Sequence, residues 1–326
     1  MLRPDDLLRL QQHRSEVVDL NGWYPDDEFP IAPTGAKAKR IFVCPSPAPR
    51  RFLIGGHRYL FKEPSGPHVM QIWSEVIAYE VARCCGVPVP PAFLATAPGN
   101  GSPGVLIEFF YGYQQRAAAR LIDGVERIQA RGLPINFGRG SLKDNIEVCR
   151  FQRAAGWAFW WAEALAFDTL IGNTDRHSQN WGFLASPNEE HGLDFDMAPI
   201  FDNGTSLGFL TRDQDLSKAT TSEALRRFVR RGKHHCGWIS GDEESAQHVE
   251  LCRRFVDKFP SARQTMQRVA ALTDNQIDGI VSWCREFEYT VPFTRLRALY
   301  VASQLKMRRD DLLNVLSDGG RHGTLG

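Results

Sequence analysis

The sequence predicts an α+β fold in two lobes, a small β-rich lobe followed by a larger helical one. Two observations carry this prediction. Strand-like runs broken by Gly and Pro fill residues 31–113, around a single segment with helical spacing. After "PINFGRGS" the pattern changes to long helical segments with polar breaks. We therefore divide the chain into an N-terminal arm (1–30), an N-lobe (31–113) and a C-lobe (114–326).

Within the N-lobe, "GAKAKRIFVCPS" and "RRFLIGGHRYLFKEP" predict two or three antiparallel strands, with "IGGH" as the turn. In "QIWSEVIAYEVARCCG", Ile72, Val76 and Tyr79 lie at helical spacing, and Gly86 followed by "VPVPP" predicts the helix end. The run "GVLIEFFYGY" predicts a buried strand. Residues 1–30 are polar and acidic, so we expect a weakly structured arm there.

In the C-lobe, residues 144–171 predict helix and residues 172–182 predict a loop. Two further segments, "WGFLAS" and "MAPIFDNGTSLGFL", predict short strands around a turn at 187–193. From residue 220 onward the pattern predicts amphipathic helices.

Composition places the chain among ordinary globular proteins, with 43% hydrophobic and 24% charged residues. A net charge of +1 gives no sign of a nucleic-acid surface, so we expect no direct nucleic-acid binding. The apolar stretch 154–171 contains Glu163 and Asp168, which favours a core helix over a membrane span. The start, "MLRPDDLLRLQQHR", lacks the apolar core of a signal peptide. We therefore expect a cytoplasmic protein with no membrane association.

Seven cysteines, an odd number without a C-x-x-C pair, favour reduced thiols in such a protein. The cluster His234-His235-Cys236 together with Cys252 is a conceivable metal site. No tetrahedral-site spacing supports it, so we favour the simpler interpretation.

The polar loop "IGNTDRHSQNWG" (171–182) contains the main candidates for chemistry. Asp175 and Asn180 lie five positions apart, and Asp202 follows in "FDNG". Phosphoryl transfer needs a carboxylate that accepts the hydroxyl proton, and oxygen ligands that hold Mg²⁺ against phosphates. A D-x-x-x-x-N pattern alone equally fits a polar turn that caps a helix. The second Asp after a strand-like run favours the chemical interpretation.

A candidate cation for binding nucleotide phosphates, Lys62, precedes this loop in the sequence. Lys62 ends a predicted strand, and Glu75 lies 13 residues later on the predicted helix. A strand Lys held by a helix Glu is the arrangement that directs an ammonium group at phosphates. Strand Lys, helix Glu, loop Asp and Asn, then a second Asp is the order found in protein kinases. The sequence thus predicts a protein-kinase-like fold that uses ATP and Mg²⁺.

The phosphate-covering loop is the least typical feature, because no G-x-G-x-x-G is present. Two stretches compete for the role, "PTGAKAKR" (33–40) and "LIGGHR" (53–58). The first offers Gly35, Lys37 and Lys39, so its backbone N–H groups and lysines are suited to cradle phosphates. The second fits a hairpin turn better.

These segments resemble the HipA-like kinases, bacterial Ser/Thr kinases that serve as toxins of toxin–antitoxin modules. The resemblance lies in "GAKAK", "LFKEP", "SEVIAYEVARCCGVPVP", "LIGNTDRHSQNWGF" and "MAPIFDNGTSL". It implies a Ser/Thr protein substrate and a small antitoxin partner. The roles it implies are these: Asp175 as the catalytic carboxylate, Asn180 and Asp202 as metal ligands, Lys62 as the phosphate-binding cation, Glu75 as its partner, and His177 as an orienting group.

The chain also departs from the family. No Ser stands in "GAKAK", the loop in which phosphorylation of a hydroxyl can switch off the kinase in this family, and Thr34 is the nearest hydroxyl. Only about 30 residues precede this loop, as in the shorter members. Type II phosphatidylinositol kinases carry a related D-R-x-x-x-N and D-N-G, so a lipid or small-molecule kinase is the main alternative. The lack of a basic membrane-facing cluster disfavours it. A non-catalytic binding module is a third interpretation.

Overall fold

In a computed structural model the structure is described for residues 2–26, 39–116, 118–133 and 140–318. A six-stranded sheet forms the first lobe, in the order β1-β5-β6-β4-β3-β2. The pairs are antiparallel except β1 with β5, which is parallel. The strands are β1 (Val18–Asp19), β2 (Tyr24–Pro25), β3 (Lys39–Val43), β4 (Arg58–Lys62), β5 (Ala92–Thr96) and β6 (Pro103–Glu108).

The predicted antiparallel pair at the start of the N-lobe is present as β3 and β4. Alternation along β4 puts Tyr59 and Phe61 into the apolar core of the sheet, while Leu60 and Lys62 line the opposite, cleft-facing side. In this register Lys39 lies directly opposite Lys62. The pairing therefore directs two ammonium groups to one place.

Helix α1 (Gln71–Cys85) ends where the sequence predicts. Gly86 adopts φ 62° and its N–H bonds to the carbonyl of Ala82. Of the fifteen residues, thirteen are buried, because the helix contacts the sheet on one side and the C-lobe helix α9 on another. Such burial on all sides makes α1 a rigid support for Glu75.

The prediction of a weakly structured N-terminal arm is wrong for residues 2–26. Strands β1 and β2 extend the sheet at its two ends, and Trp23 joins the N-lobe core. Leu2 and Leu7 pack with Phe110 and Leu184. A few well-spaced apolar side chains anchor this segment. The prediction was wrong because the composition of the segment as a whole is polar.

In the C-lobe, several helices pack around the buried helix Trp157–Ile171, and a three-stranded antiparallel sheet has the order β7-β8-β9. Its strands are β7 (Arg120–Asp123), β8 (Gly182–Pro187) and β9 (Leu193–Met197). Its helices are α2 (Gly124–Ala130), α3 (Leu142–Phe151), α4 (Trp157–Ile171), α5 (Leu216–Ala219), α6 (Ser222–Arg231), α7 (His248–Lys258), α8 (Ala262–Val269), α9 (Asp274–Arg285) and α10 (Arg295–Asp318). None of these described helices is both long enough and apolar enough to cross a membrane.

Two C-lobe predictions need correction. The helix predicted over 144–171 is interrupted after α3, where Arg153 and Gly156 take positive φ angles. The strand predicted in "MAPIFDNGTSLGFL" is absent beyond Met197, the last residue of β9. Asp202 and Leu207 instead adopt left-handed φ angles of 57° and 56°, which an extended strand does not accommodate. The chain turns there, and the turn directs Asp202 into the cleft.

Candidate active site

A cleft of about 410 Å³ lies between the two lobes. Its lining combines apolar side chains with charged and amide groups, the mixture typical of small-molecule sites. The apolar members are Leu60, Pro90, Ile107, Phe109, Phe110, Tyr111, Leu121 and Phe201. The polar members are Lys39, Lys62, Glu108, Asp123, His177, Gln179, Asn180 and Asp202.

The predicted Lys–Glu pair is formed at the floor of the cleft. Lys62 Nζ lies 2.7 Å from Glu75 Oε1 and 2.8 Å from Asp202 Oδ1. The second oxygen of Glu75 accepts the backbone N–H of Asn203 at 3.1 Å. Glu75 thus positions both the lysine and the turn that carries Asp202.

Charge is concentrated around this pair. Burial alone would lower the pKa of Lys62, yet Asp202 and Glu75 raise it above its ordinary value. Burial alone would raise the pKa of Asp202, but Lys62 and Lys39 hold it well below its usual range. Lys39 Nζ lies 3.8 Å from Asp202 Oδ2. The site therefore holds two ammonium groups and an ionised carboxylate at neutral pH.

The catalytic-loop residues lie opposite, on the C-lobe. Asn180 Nδ2 donates to the backbone carbonyl of Asp175 at 2.7 Å, which leaves Asn180 Oδ1 to face other ligands. His177 Nδ1 accepts the backbone N–H of Gln179 at 3.2 Å, so in the neutral ring Nε2 carries the proton. That Nε2 lies 3.9 Å from Asp175 Oδ1. Burial and the neighbouring His235 lower the pKa of His177, which favours the neutral ring and an orienting role.

Arg176 is a central residue that the sequence patterns did not single out. It is fully buried and makes two hydrogen bonds to Asp168 on α4, at 3.0 and 2.8 Å. The same guanidinium donates to the carbonyl of Asn180 at 2.9 Å and to Asn203 Oδ1 at 2.7 Å, and also bonds to the carbonyl of Phe201. Arg176 thus joins α4, the catalytic loop and the Asp202 turn.

Asp168 is the anion on which this arrangement depends. Burial alone would raise its pKa, but Arg176 and His234 hold it well below its usual range. His234 Nδ1 accepts the N–H of Cys236 at 3.1 Å, so Nε2 is the donor to Asp168 Oδ2 at 3.2 Å. Asn173 donates to Asp168 Oδ1 at 3.1 Å. The charge buried in the core helix thus has donors on each side, as a buried ion requires.

Asn173 extends this support to Asp175. Its Oδ1 accepts the backbone N–H of Asp175 and the hydroxyl of Thr205, both at 3.1 Å. Its carbonyl accepts His248 Nε2–H at 2.7 Å. Burial lowers the pKa of His248 to about 3, so this ring is a neutral donor.

The sequence-predicted residues are brought together as far as the structure describes them. Lys62, Glu75, His177, Asn180 and Asp202 line or adjoin the cleft, and Asp175 lies beside His177. The other proposed nucleotide-binding residues, Gly35 and Lys37, and the hydroxyl of Thr34 lie outside the described residues. The sequence did not predict Asp123 as a cleft residue, since it lies in no recognised motif. Its place in the cleft lining is known only from the structure.

The conceivable metal site at residues 234–236 is not formed. Within the described parts of the chain, no group of three or more His, Cys, Asp or Glu side chains is placed to hold a metal ion. His234 binds Asp168, and Cys252 Sγ contacts Thr169 Oγ1 at 3.3 Å. All seven cysteines are free, six of them buried.

The chemistry of Asn180 and Asp202 fits a magnesium ion bound together with phosphates. Mg²⁺ uses one or two protein oxygens and completes its shell with water and substrate phosphates. Asp202 offers an ionised carboxylate and Asn180 a free amide oxygen. Lys62 now neutralises Asp202, so a phosphate chain that attracts Lys62 would leave Asp202 available to the ion.

The fold and the cleft define a two-lobed protein-kinase-like protein. The chain matches the family model described as HipA-like C-terminal domain over residues 32–275. It therefore belongs to the HipA-like C-terminal domain family, as the motifs predicted.

Individual relatives agree with this assignment. Over 49 residues the chain is 49% identical to the serine/threonine-protein kinase CtkA of Helicobacter pylori, a stretch that is 15% of this chain and only 14% of that protein. The crystal structure of the Helicobacter pylori proinflammatory kinase CtkA superposes with a TM-score of 0.70 and 17% identity, over 93% of this chain and 98% of that one. HipA from Shewanella oneidensis MR-1, solved with HipB and operator DNA, superposes with a TM-score of 0.51 and 15% identity. The superposition covers 91% of this chain and 69% of that one. At such identities the structural likeness establishes the fold.

Proposed function

We propose that this chain is an ATP- and Mg²⁺-dependent kinase that phosphorylates Ser or Thr of a protein. The observation that carries the proposal is the joined set Lys62–Glu75–Asp202 at a cleft that Asn180 and His177 also line, with Asp175 beside His177. The family membership and the kinase CtkA among the relatives support it.

Each residue has a role that follows from its surroundings. Lys62 and Lys39 would bind the phosphate chain of ATP, and the apolar wall at Phe109–Tyr111 would hold the base. Asn180 and Asp202 would hold the Mg²⁺, which when bound supplies positive charge that offsets the charge on the transferred phosphoryl group.

Asp175 is the proposed proton acceptor. Its side chain is 41% exposed, so an acceptor hydroxyl can reach it from solvent. The carboxylate would orient the Ser or Thr oxygen and take its proton as the bond to phosphorus forms. His177 Nε2, 3.9 Å from Oδ1, would hold the carboxylate in place once the contact tightens around the substrates.

The change Asp175→Asn tests this assignment. We expect phosphate transfer to fall by about 10²–10⁴-fold, since the proton acceptor is lost. ATP with Mg²⁺ should still raise the melting temperature, and ATP with EDTA should raise it much less. The assay uses labelled ATP with cell extract, and Asp194→Asn on β9 is the matched control. Full activity of Asp175→Asn would contradict the assignment, and no thermal shift with millimolar ATP would contradict the kinase proposal.

The acceptor class is tested in the same assay. Phosphoinositide vesicles in place of extract would become labelled if the lipid-kinase alternative holds. A toxin role with a small antitoxin partner stays a prediction from the family likeness, in which HipA was solved together with HipB. Co-purification of a small protein with the full chain would support it.

A further inference from the structure

Two consecutive histidines outside the recognised motifs, His234 and His235, contact two different carboxylates at the candidate active site. His234 points inward to Asp168, with Nε2 3.2 Å from Oδ2. His235 points the other way, with Nδ1 3.7 Å from Asp175 Oδ1. The chain bends at His235, and the two adjacent side chains contact different carboxylates.

The backbone of this segment is held firmly. His234 N–H donates to the carbonyl of Ala246 at 2.8 Å, and Leu142 N–H donates to the carbonyl of Gly237 at 3.0 Å. Cys236 Sγ donates to the carbonyl of Arg176 at 3.7 Å. The segment is therefore fixed to the catalytic loop itself, and the position of His235 is part of the site architecture.

His177 and His235 approach the same carboxylate oxygen from different sides. Their ring centroids are 5.5 Å apart with an interplanar angle of 68°. His177 lines the nucleotide cleft, whereas His235 is not among the residues that line it. The oxygen Oδ1 of Asp175 thus lies within 4 Å of two imidazoles, of which only His177 lines the cleft.

We propose that His235 is a positioning residue on the acceptor side of the site, which holds Asp175 Oδ1 while Oδ2 receives the acceptor hydroxyl. This inference rests on the proposed kinase function. The 3.7 Å separation is longer than a hydrogen bond, and catalytic contacts commonly tighten only in the complex with substrates. The His235 side chain is 21% exposed and that of Asp175 41%, so a docking Ser or Thr segment can touch both.

The alternative is that His235 only packs against His177. Two substitutions separate these roles. His235→Asn keeps an N–H donor near the position of Nδ1, whereas His235→Leu keeps apolar volume and removes the donor. His191→Asn, in the exposed turn between β8 and β9, is the matched control. All variants are first compared by melting temperature.

The experiment measures transfer from labelled ATP to a mixture of Ser/Thr peptides, and hydrolysis of ATP with water as the acceptor. For His235→Leu we expect a fall of about tenfold or more in kcat/KM for peptide, with the KM for ATP changed less than about twofold. His235→Asn should recover most of the peptide activity. The control variant should match the wild type in both reactions.

Equal peptide activity in His235→Leu and the wild type would overturn the proposal. So would equal losses in the Asn and Leu variants, or a parallel rise in the KM for ATP, since packing alone would then explain the effect. A wild-type chain that transfers phosphate to no acceptor would instead overturn the kinase function, and the acceptor-side role with it.

Discussion

At the scale of single residues, Asp123 shows how the cleft tunes a carboxyl group. Burial raises its pKa to about 6, Glu126 adds a like charge, and Lys39 offsets part of this effect. The ordinary value is 3.8. Asp123 lines the cleft. Ionising this carboxyl group therefore costs more free energy than ionising an exposed one.

This shift predicts a pH-dependent effect of Asp123→Asn on stability. Between the ordinary pKa and about 6, the folded chain binds more protons at Asp123 than the unfolded chain, so this group's contribution to the free energy of unfolding decreases as pH rises. The substitution should raise the free energy of unfolding by about 1–3 kcal/mol at pH 7.5 and have almost no effect near pH 4. Urea titrations at both values measure it.

Asp5→Asn, an exposed carboxyl of the N-terminal segment, serves as the control. An equal effect of Asp123→Asn at the two pH values would show that proton linkage is not the cause.

At the scale of elements, the end of α4 determines where the catalytic loop begins. Gly172 ends the helix with φ +64°, a left-handed angle that side chains rarely adopt. A Cβ there would lie 2.6 Å from the guanidinium of Arg308. Arg308 is 3% exposed, so it has little room to move. The glycine is required both by its backbone angle and by the space that Arg308 fills.

We therefore expect Gly172→Ala to lower the free energy of unfolding by at least about 1 kcal/mol, from the backbone angle alone. Activity should fall as well, because Asn173 and Asp175 follow directly. The matched control is Gly279→Ala inside α9, where a Cβ meets nothing within 4 Å. That change should stabilise the chain by roughly 0.5–1 kcal/mol. Chemical denaturation of both variants measures the contrast, and two equal effects would contradict this explanation.

Elements with local signals were predictable from the sequence. The β3–β4 pair, α1 with its Gly86 end, and the order Lys62, Glu75, Asp175, Asn180, Asp202 depend on periodicity and spacing, which a single sequence displays. The strand predicted after β9 was wrong. Asp and Asn tolerate left-handed angles and favour turns, and the turn at Asp202 also has long-range contacts, of Lys62 with Asp202 and of Arg176 with the carbonyl of Phe201, which a single sequence does not display.

The long-range hydrogen bonds that support the site could not be predicted from the sequence for the same reason. Arg176 binds Asp168, eight residues before it, and Asn203, 27 residues after it, and no spacing rule links these positions. The pairing of Asp168 with His234 spans 66 residues. Asp168 was visible only as a charge in an apolar helix, which a buried ion pair explains.

At the scale of the whole molecule, the lobes are joined at several points besides the chain connection. Trp73 on α1 donates Nε1–H to the carbonyl of Val291 at 2.8 Å. The hydroxyl of Tyr289 binds β6 at Gly104 and donates to the carbonyl of Ala95 on β5. Arg268 bonds to the carbonyl groups at the end of α1. These contacts hold α1, which carries Glu75, against the C-lobe.

The N-terminal segment provides a further connection behind the cleft. Arg9 makes two hydrogen bonds to Glu108, at 2.9 and 2.6 Å, and Tyr113 donates to the same carboxylate at 2.7 Å. Glu108 is 1% exposed and ends β6, directly before the chain passes between the lobes. The carbonyl of Gln12 accepts Trp283 Nε1–H from α9 at 3.0 Å. The segment therefore contacts both lobes and neutralises a charge that lines the cleft.

The substitution Arg9→Met tests this connection. It leaves Glu108 buried without its cation, so we expect the free energy of unfolding to fall by about 3–5 kcal/mol, as for other buried pairs broken on one side. The KM for ATP should rise, because Glu108 lines the cleft. Adding Glu108→Gln should recover part of the stability, since an amide is less costly to bury than an unpaired charge. Exposed Arg14→Met is the control. Urea titration of the wild type, Arg9→Met, Glu108→Gln and the double variant gives the coupling between the two residues. A loss below about 1 kcal/mol, typical of exposed pairs, would show that the N-terminal segment merely covers the cleft wall.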